Sequence, residues 1–181
     1  MKPISILVLI SFFLAGKLFA QSGDECKYLQ VYSYLKSNAQ INEQLKKKLS
    51  FLKFVKKEKF VSMNVLPWIQ FIGFSELTDS IHADSVGLDK VALENERTFS
   101  RTYKFEAFKS SLLEKLISRD EGVKLFLTFS KSIGSVLVVE ILNSDNPPYK
   151  IRKMGGGVKV LFIFDHLGVI SKYYMCQVFY N

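Results

Sequence analysis

Histidine and cysteine are scarce in this chain, with two of each, and arginine is nearly as rare, with four. A zinc site of four Cys/His ligands would need every one of those histidines and cysteines. Any serine–histidine–acid or cysteine–histidine set must draw on His82 or His166, and neither lies in a sequence that assembles one. Lysines outnumber arginines 21 to 4 and no nucleic-acid-binding motif is present, which argues against nucleic acid as a partner. Internal repeats and low-complexity tracts are also missing. What is abundant is bulk: 48% of the 181 residues are hydrophobic, with 16 Phe and 8 Tyr, enough for one well-filled domain. The formal net charge is +8.

Residues 1–20 read as a signal peptide. Met1-Lys2-Pro3 is a short basic start, Ile4 to Leu14 is almost wholly apolar, and Ala15-Gly16-Lys17-Leu18-Phe19-Ala20 offers small residues for cleavage after Ala20. The apolar run of 11 residues is too short for a spanning helix, which needs roughly 20. The rival is an uncleaved N-terminal anchor, which Lys17 would interrupt. Leu14-Ala15-Gly16 resembles a lipid-attachment box, but position 17 is Lys where that box needs Cys. Cleavage would leave a single domain over 21–181, carrying 23 basic and 17 acidic side chains, exported to the periplasm or secreted.

In an oxidising compartment Cys26 and Cys176, 150 residues apart near the two ends of that domain, favour a structural disulfide. Closing so long a loop would stabilise the fold by ~5 kcal/mol in the chain-entropy treatment, less any strain. The alternative is a reactive thiol or an intermolecular bridge, but neither Cys has a Cys-x-x-Cys partner or a nearby His to activate it.

Apolar residues recur at three- and four-residue steps from Glu25 to about Ser50, which predicts helix, with Ser37-Asn38 as a break. Phe60 to Leu66 is ambiguous in type, with Val61, Met63 and Val65 alternating with Ser62 and Asn64 as in a strand, and Pro67 closes it. Leu77 to Asn95 reads as a loop with room for a short helical turn. Ser100 to Ser118 predicts a helix with Phe105, Phe108, Leu112, Leu116 and Ile117 on one face. The last sixty residues change period. Val123 to Phe129, Val136 to Leu142, Tyr149 to Met154, Val158 to Phe164 and Val169 to Tyr180 predict strands. Among these Val136 to Leu142 is apolar on both faces and hence central, and Tyr149 to Met154 is a poorer edge. Asp165-His166-Leu167-Gly168 predicts a hairpin turn. The fold class expected is α+β: N-terminal helices packed on a C-terminal four- to five-stranded antiparallel meander sheet.

The run Phe162-Ile163-Phe164-Asp165-His166-Leu167-Gly168-Val169-Ile170-Ser171-Lys172-Tyr173-Tyr174, continuing to Phe179-Tyr180-Asn181, resembles the ends of small exported bacterial proteins of unknown function. Phe129-Ser130-Lys131 through Val139-Glu140-Ile141-Leu142 is similar to another stretch of that group. The resemblance covers the final third of the chain and implies a fold without an activity.

Several motifs invite chemistry and fail on spacing. Ser33-x-x-Lys36 and Ser50-x-x-Lys53, Ser144-Asp145-Asn146, and Lys153-Met154-Gly155 follow the order used by serine penicillin-recognising enzymes. Only seven positions separate Asn146 from Lys153, and about two Ser-x-x-Lys matches are expected by chance at this composition. Gly155-Gly156-Gly157 leads into a strand instead of a phosphate-binding helix, so it reads as a flexible connection or bulge. His166 beside Asp165, and His82 among Asp79 and Asp84, read as turn and surface residues. No catalytic residue, cofactor or metal site is therefore expected.

The basic stretch is the remaining candidate. Lys46, Lys47, Lys48, Lys53, Lys56, Lys57 and Lys59 crowd around Leu49, Phe51, Leu52, Phe54 and Val55, as an anionic membrane surface would require. A core-facing helix with a solvated lysine edge produces the same pattern and is the favoured reading. Residues 71–121 are acidic by ten to seven, a segregation that would also guide an envelope protein partner. The function expected is non-catalytic binding of an unidentified ligand or partner. Membrane association through residues 46–59 is the alternative, and an unrecognised hydrolase, which would need a perturbed carboxylate or His in a cleft, is the third.

Overall fold

The computed structural model describes residues 23–50, 63–70, 72–77, 81, 106–108, 111–117, 125–142 and 155–180. Asp24 and Glu25 in the first turn and Lys36 in the last complement the dipole of helix α1, Gly23–Ser37, which buries Tyr28, Val31 and Leu35. Asn38 then breaks the helix by capping the next one. Its backbone is extended, and its side-chain oxygen accepts from the Ile41 N–H at 3.1 Å. Helix α2, Ala39–Leu49, buries Ile41, Leu45 and Leu49 at four-residue steps. The expected break at Ser37-Asn38 is thus where the two helices part.

Six strands form one sheet in the order β2-β1-β3-β4-β5-β6. They are β1 Met63–Ile69, β2 Glu106–Ala107, β3 Leu125–Phe129, β4 Val136–Leu142, β5 Gly155–Phe164 and β6 Ile170–Tyr180. From β3 to β6 the sheet is the expected antiparallel meander. The β5–β6 turn matches as well: Asp165 accepts the Leu167 and Val169 N–H groups, and Gly168 takes the positive φ of 74° that the turn requires.

Beyond β3 the expectation of a purely antiparallel sheet of four or five strands is corrected. β1 pairs with β3 in parallel, and β2 pairs with β1 antiparallel, so the sheet is mixed. Pro67 does not end β1; the strand runs on to Ile69 past a register shift between Val65 and Ile69. The long helix expected over Ser100 to Ser118 is also absent from its described part. Glu106–Ala107 is strand, and only Ser111–Glu114, here α3, is helical. Phe108, Leu113 and Leu116 still reach the core, so the apolar spacing served burial without a continuous helix. The three glycines Gly155 to Gly157 are strand residues, paired with Tyr180, Phe179 and Val178. A Cβ at Gly157 would collide with the Ile141 carbonyl oxygen and come within 2.7 Å of Leu142 Cδ2, so close strand approach, not flexibility, explains the glycine. The strand expected at Tyr149 to Met154 lies outside the described residues.

Strand alternation divides the core between the two sheet faces. On the first face Leu127, Phe129, Leu137, Val139, Val158, Val160 and Phe162 meet the buried residues of α1 and α2. Aromatic rings reinforce this side: Tyr28 stands edge-on to Phe129 with centroids 5.4 Å apart, and Tyr34 to Phe162 at 6.0 Å. Polar ties fix α1 in place. Lys27 Nζ donates to Ser132 Oγ and to the Gly134 carbonyl, and Gln30 Oε1 accepts the Ile170 N–H. On the second face Val136, Val138, Leu161 and Tyr174 are covered by Ile72, Phe74, Leu77 and Ile81. That cover is a short strap following β1, with one 3-10 turn at Ser75–Leu77.

Candidate functional site

Among the apolar residues of the second face one cross-strand row is polar. Thr128 on β3 is paired with Glu140 on β4, Glu140 with Lys159 on β5, and Lys159 with Cys176 on β6. Directly paired positions point to the same face with Cβ atoms about 5 Å apart. The row is flanked by Val138, Leu161 and Tyr174 on one side and by Leu142, Gly157 and Val178 on the other. Thr128, Glu140 and Lys159 are buried, Glu140 with only 2% of its surface exposed.

The strap supplies two polar ties to this row. Gln70, itself buried, donates from Nε2 to Glu140 Oε2 at 3.3 Å. Lys159 Nζ donates to Glu76 Oε1 at 2.7 Å. Glu76 sits in the 3-10 turn with nearly half of its side chain exposed, whereas the Lys159 side chain is almost enclosed. Two acceptors are left over: Glu140 Oε1 and Thr128 Oγ1 have no hydrogen-bond partner among the described residues.

Burial dominates the electrostatics. It pushes the Glu140 carboxyl from 4.5 up to about 7, against the opposing pull of the Lys159 ammonium and with a smaller push from Glu76. Cys176 is driven the same way, first by burial and then by Glu76, so its thiol stays protonated near neutrality and is a poor nucleophile. No protein-family model, curated protein or solved structure matches the chain. What the row can do therefore follows from its own chemistry. It offers carboxyl and hydroxyl acceptors between apolar walls, one ammonium group, and a carboxyl that changes charge near neutral pH.

The structure separates the residues singled out from sequence. Cys26 is on α1, against the first face, while Cys176 faces the second, beside Lys159 and against the strap cluster. The sheet lies between them and the two sulfurs are not bonded, so the expected disulfide is not part of this structure. Lys46, Lys47 and Lys48 occupy the last turn of α2, where Lys46 pairs with Glu43 at 3.1 Å. That helix buries Ile41, Leu45 and Leu49 in the core; Phe51, Leu52, Phe54 and Val55 lie outside the described residues. Lys53, Lys56, Lys57 and His82 lie outside the described residues. The Asp165 carboxylate is engaged within its own turn. Backbone N–H groups of Val169 and Leu167 hold its carboxylate and lower its pKa, with the contribution of His166 smaller. Among the described residues no group of His, Cys, Asp and Glu is arranged to hold a metal, and no helix is long and apolar enough to cross a membrane.

Sequence reasoning passed over the row itself. Val136 to Leu142 was legible as a central strand, and a central strand has no solvent for a glutamate. Glu140 there, and Lys159 between Val158 and Val160, were the signal: a charge in a doubly buried strand must be paired or neutralised.

Proposed function

We propose that the protein acts by binding, not catalysis, and that the polar row of the second face recognises a small amphipathic ligand through a hydrogen-bond donor such as an amine or amide. The observation that carries this is the pair of unfilled acceptors, Glu140 Oε1 and Thr128 Oγ1, side by side on paired strands in a buried setting. Leaving such groups unsatisfied costs about 1–3 kcal/mol each, and an apolar pair of similar shape would serve stability better. A donor placed between them recovers that cost, while an apolar body would have to displace the strap that covers Val138, Leu161 and Tyr174. The setting is extracytoplasmic, with residues 1–20 removed as a signal peptide, and the partner class is a small molecule of the envelope.

Thermal melting of the protein against amphipathic amines, lipids, short peptides and an envelope extract tests this. A ligand at a hundred times its Kd stabilises by about 2.7 kcal/mol, a rise of several degrees. The expected result is such a rise in the wild type and none in the Thr128→Val, Glu140→Leu double variant. No shift with any probe, or an equal shift in the double variant, contradicts the reading. A second reading, a hydrolase with Glu140 as proton carrier, is favoured by a carboxyl titrating at about 7. Turnover of ester or glycoside substrates that disappears in Glu140→Gln would move it to first place.

A further inference from the structure

The ionisable side chains of the row are unevenly matched. Lys159 Nζ is turned to Glu76 Oε1 at 2.7 Å, whereas Glu140 receives one hydrogen bond, from the neutral amide of Gln70. Glu140 is 2% exposed and Thr128 is fully enclosed, and Glu140 Oε1 and Thr128 Oγ1 have no hydrogen-bond partner among the described residues. The row thus buries a carboxyl whose neighbouring lysine is engaged by another carboxylate. We propose that the row takes its ligand as a cation, a primary ammonium group seated between Glu140 Oε1 and Thr128 Oγ1 in place of the Glu140 proton. This rests on the reading of the row as a ligand site and names the chemical class that fits it.

Position favours the exchange. Thr128 and Lys159 lie on opposite sides of Glu140, on β3 and β5, about 10 Å apart at two strand spacings. A cation on the Thr128 side is thereby kept off Lys159, whose charge is already answered by Glu76. A buried carboxylate is tolerated when paired and hydrogen-bonded, and an ammonium brings its charge together with N–H donors for both oxygens. Gln70 need not move, because its bond to Oε2 becomes charge-assisted and tightens when Glu140 ionises. A calcium or magnesium ion fits less well, since it takes about six oxygen ligands and the unfilled acceptors of the row are Oε1 and Oγ1. Among the described residues the charged and titratable groups facing Glu140 are Lys159 on β5, Glu76 in the strap and, beyond Lys159, Cys176 on β6. Burial keeps the thiol neutral, and Gln70 and Thr128 carry no charge. With no ligand a proton takes the place of the cation, held up to about pH 7. It belongs on Oε1, because Oε2 accepts from Gln70. On binding, the Oε1–H bond breaks and the proton passes to solvent. Hydrogen bonds from the ammonium to Oε1 and Oγ1 then form, and no covalent bond to the ligand is made.

Isothermal titration of the full mature chain with hexylammonium, and with hexanamide as its neutral counterpart, tests the exchange. Hexylammonium should bind with release of nearly one proton at pH 6, read from buffers of different ionisation enthalpy, and almost none at pH 9. Its apparent affinity should rise about tenfold per pH unit up to about pH 7 and then level off. Glu140→Gln should abolish this binding. Thr128→Val should weaken it about tenfold and keep the pH slope. Binding without proton release, binding that survives in Glu140→Gln, or no binding of hexylammonium overturns the cation. Hexanamide bound in preference to hexylammonium also overturns it, yet leaves the ligand reading standing. That reading falls separately, if the wider panel of melts shows no ligand-dependent shift.

Discussion

Glu140 is the residue on which the chemistry turns, and its titration has consequences for stability. In the folded chain it holds its proton up to about pH 7, against 4.5 for an ordinary glutamate. A raised carboxyl contributes stability that is complete below about pH 4.5 and is lost as pH rises through about 7. At one pKa unit per 1.36 kcal/mol the loss is at most about 3 kcal/mol. Glu140→Gln removes the titration and keeps a neutral polar group in place. Its melting temperature should match the wild type at pH 5 and exceed it by several degrees at pH 8. Melting curves that run parallel for the two proteins over this range contradict the assignment.

At the level of elements, β5 shows how tightly the meander is drawn together. Gly157 lies opposite Leu142 and against the Ile141 carbonyl, with no room for a side chain. Gly157→Ala should therefore lower stability by about 1–3 kcal/mol through strand displacement, measured by urea unfolding. An unchanged midpoint would mean that the strands part without cost. The elements also explain what was legible in the sequence. The helix break at Asn38, the central strand Val136–Leu142 and the β5–β6 hairpin are local patterns, written in neighbouring residues. The parallel pairing of β1 with β3 joins residues about sixty positions apart, as in Val65 with Leu127, and no local period encodes it. The apolar spacing of 105–117 fits one helix, yet the described part buries Phe108, Leu113 and Leu116 beside a strand, in a short helix and in a turn, leaving Leu112 and Ile117 half-buried. The site was hidden for a related reason. Gln70, Thr128, Glu140 and Lys159 come from four separate segments and meet only when the sheet forms.

Across the whole molecule the two faces of the sheet have different roles. The first is closed by α1 and α2 with aromatic packing and polar ties at both hairpin ends, and this side holds the fold. The second is closed by a short strap over a polar row whose bonding capacity is incompletely used, and this side is where binding is proposed. Export would place that face where an envelope molecule can reach it. The most direct test is the intact mass of the protein purified from its native cells, recorded under native and then denaturing conditions. The account predicts a native mass greater than the denatured one by a single small molecule, with the excess missing from the Thr128→Val, Glu140→Leu variant. Equal native and denatured masses for the wild type, or an excess that survives in the variant, would contradict the claim that the polar row is a ligand site.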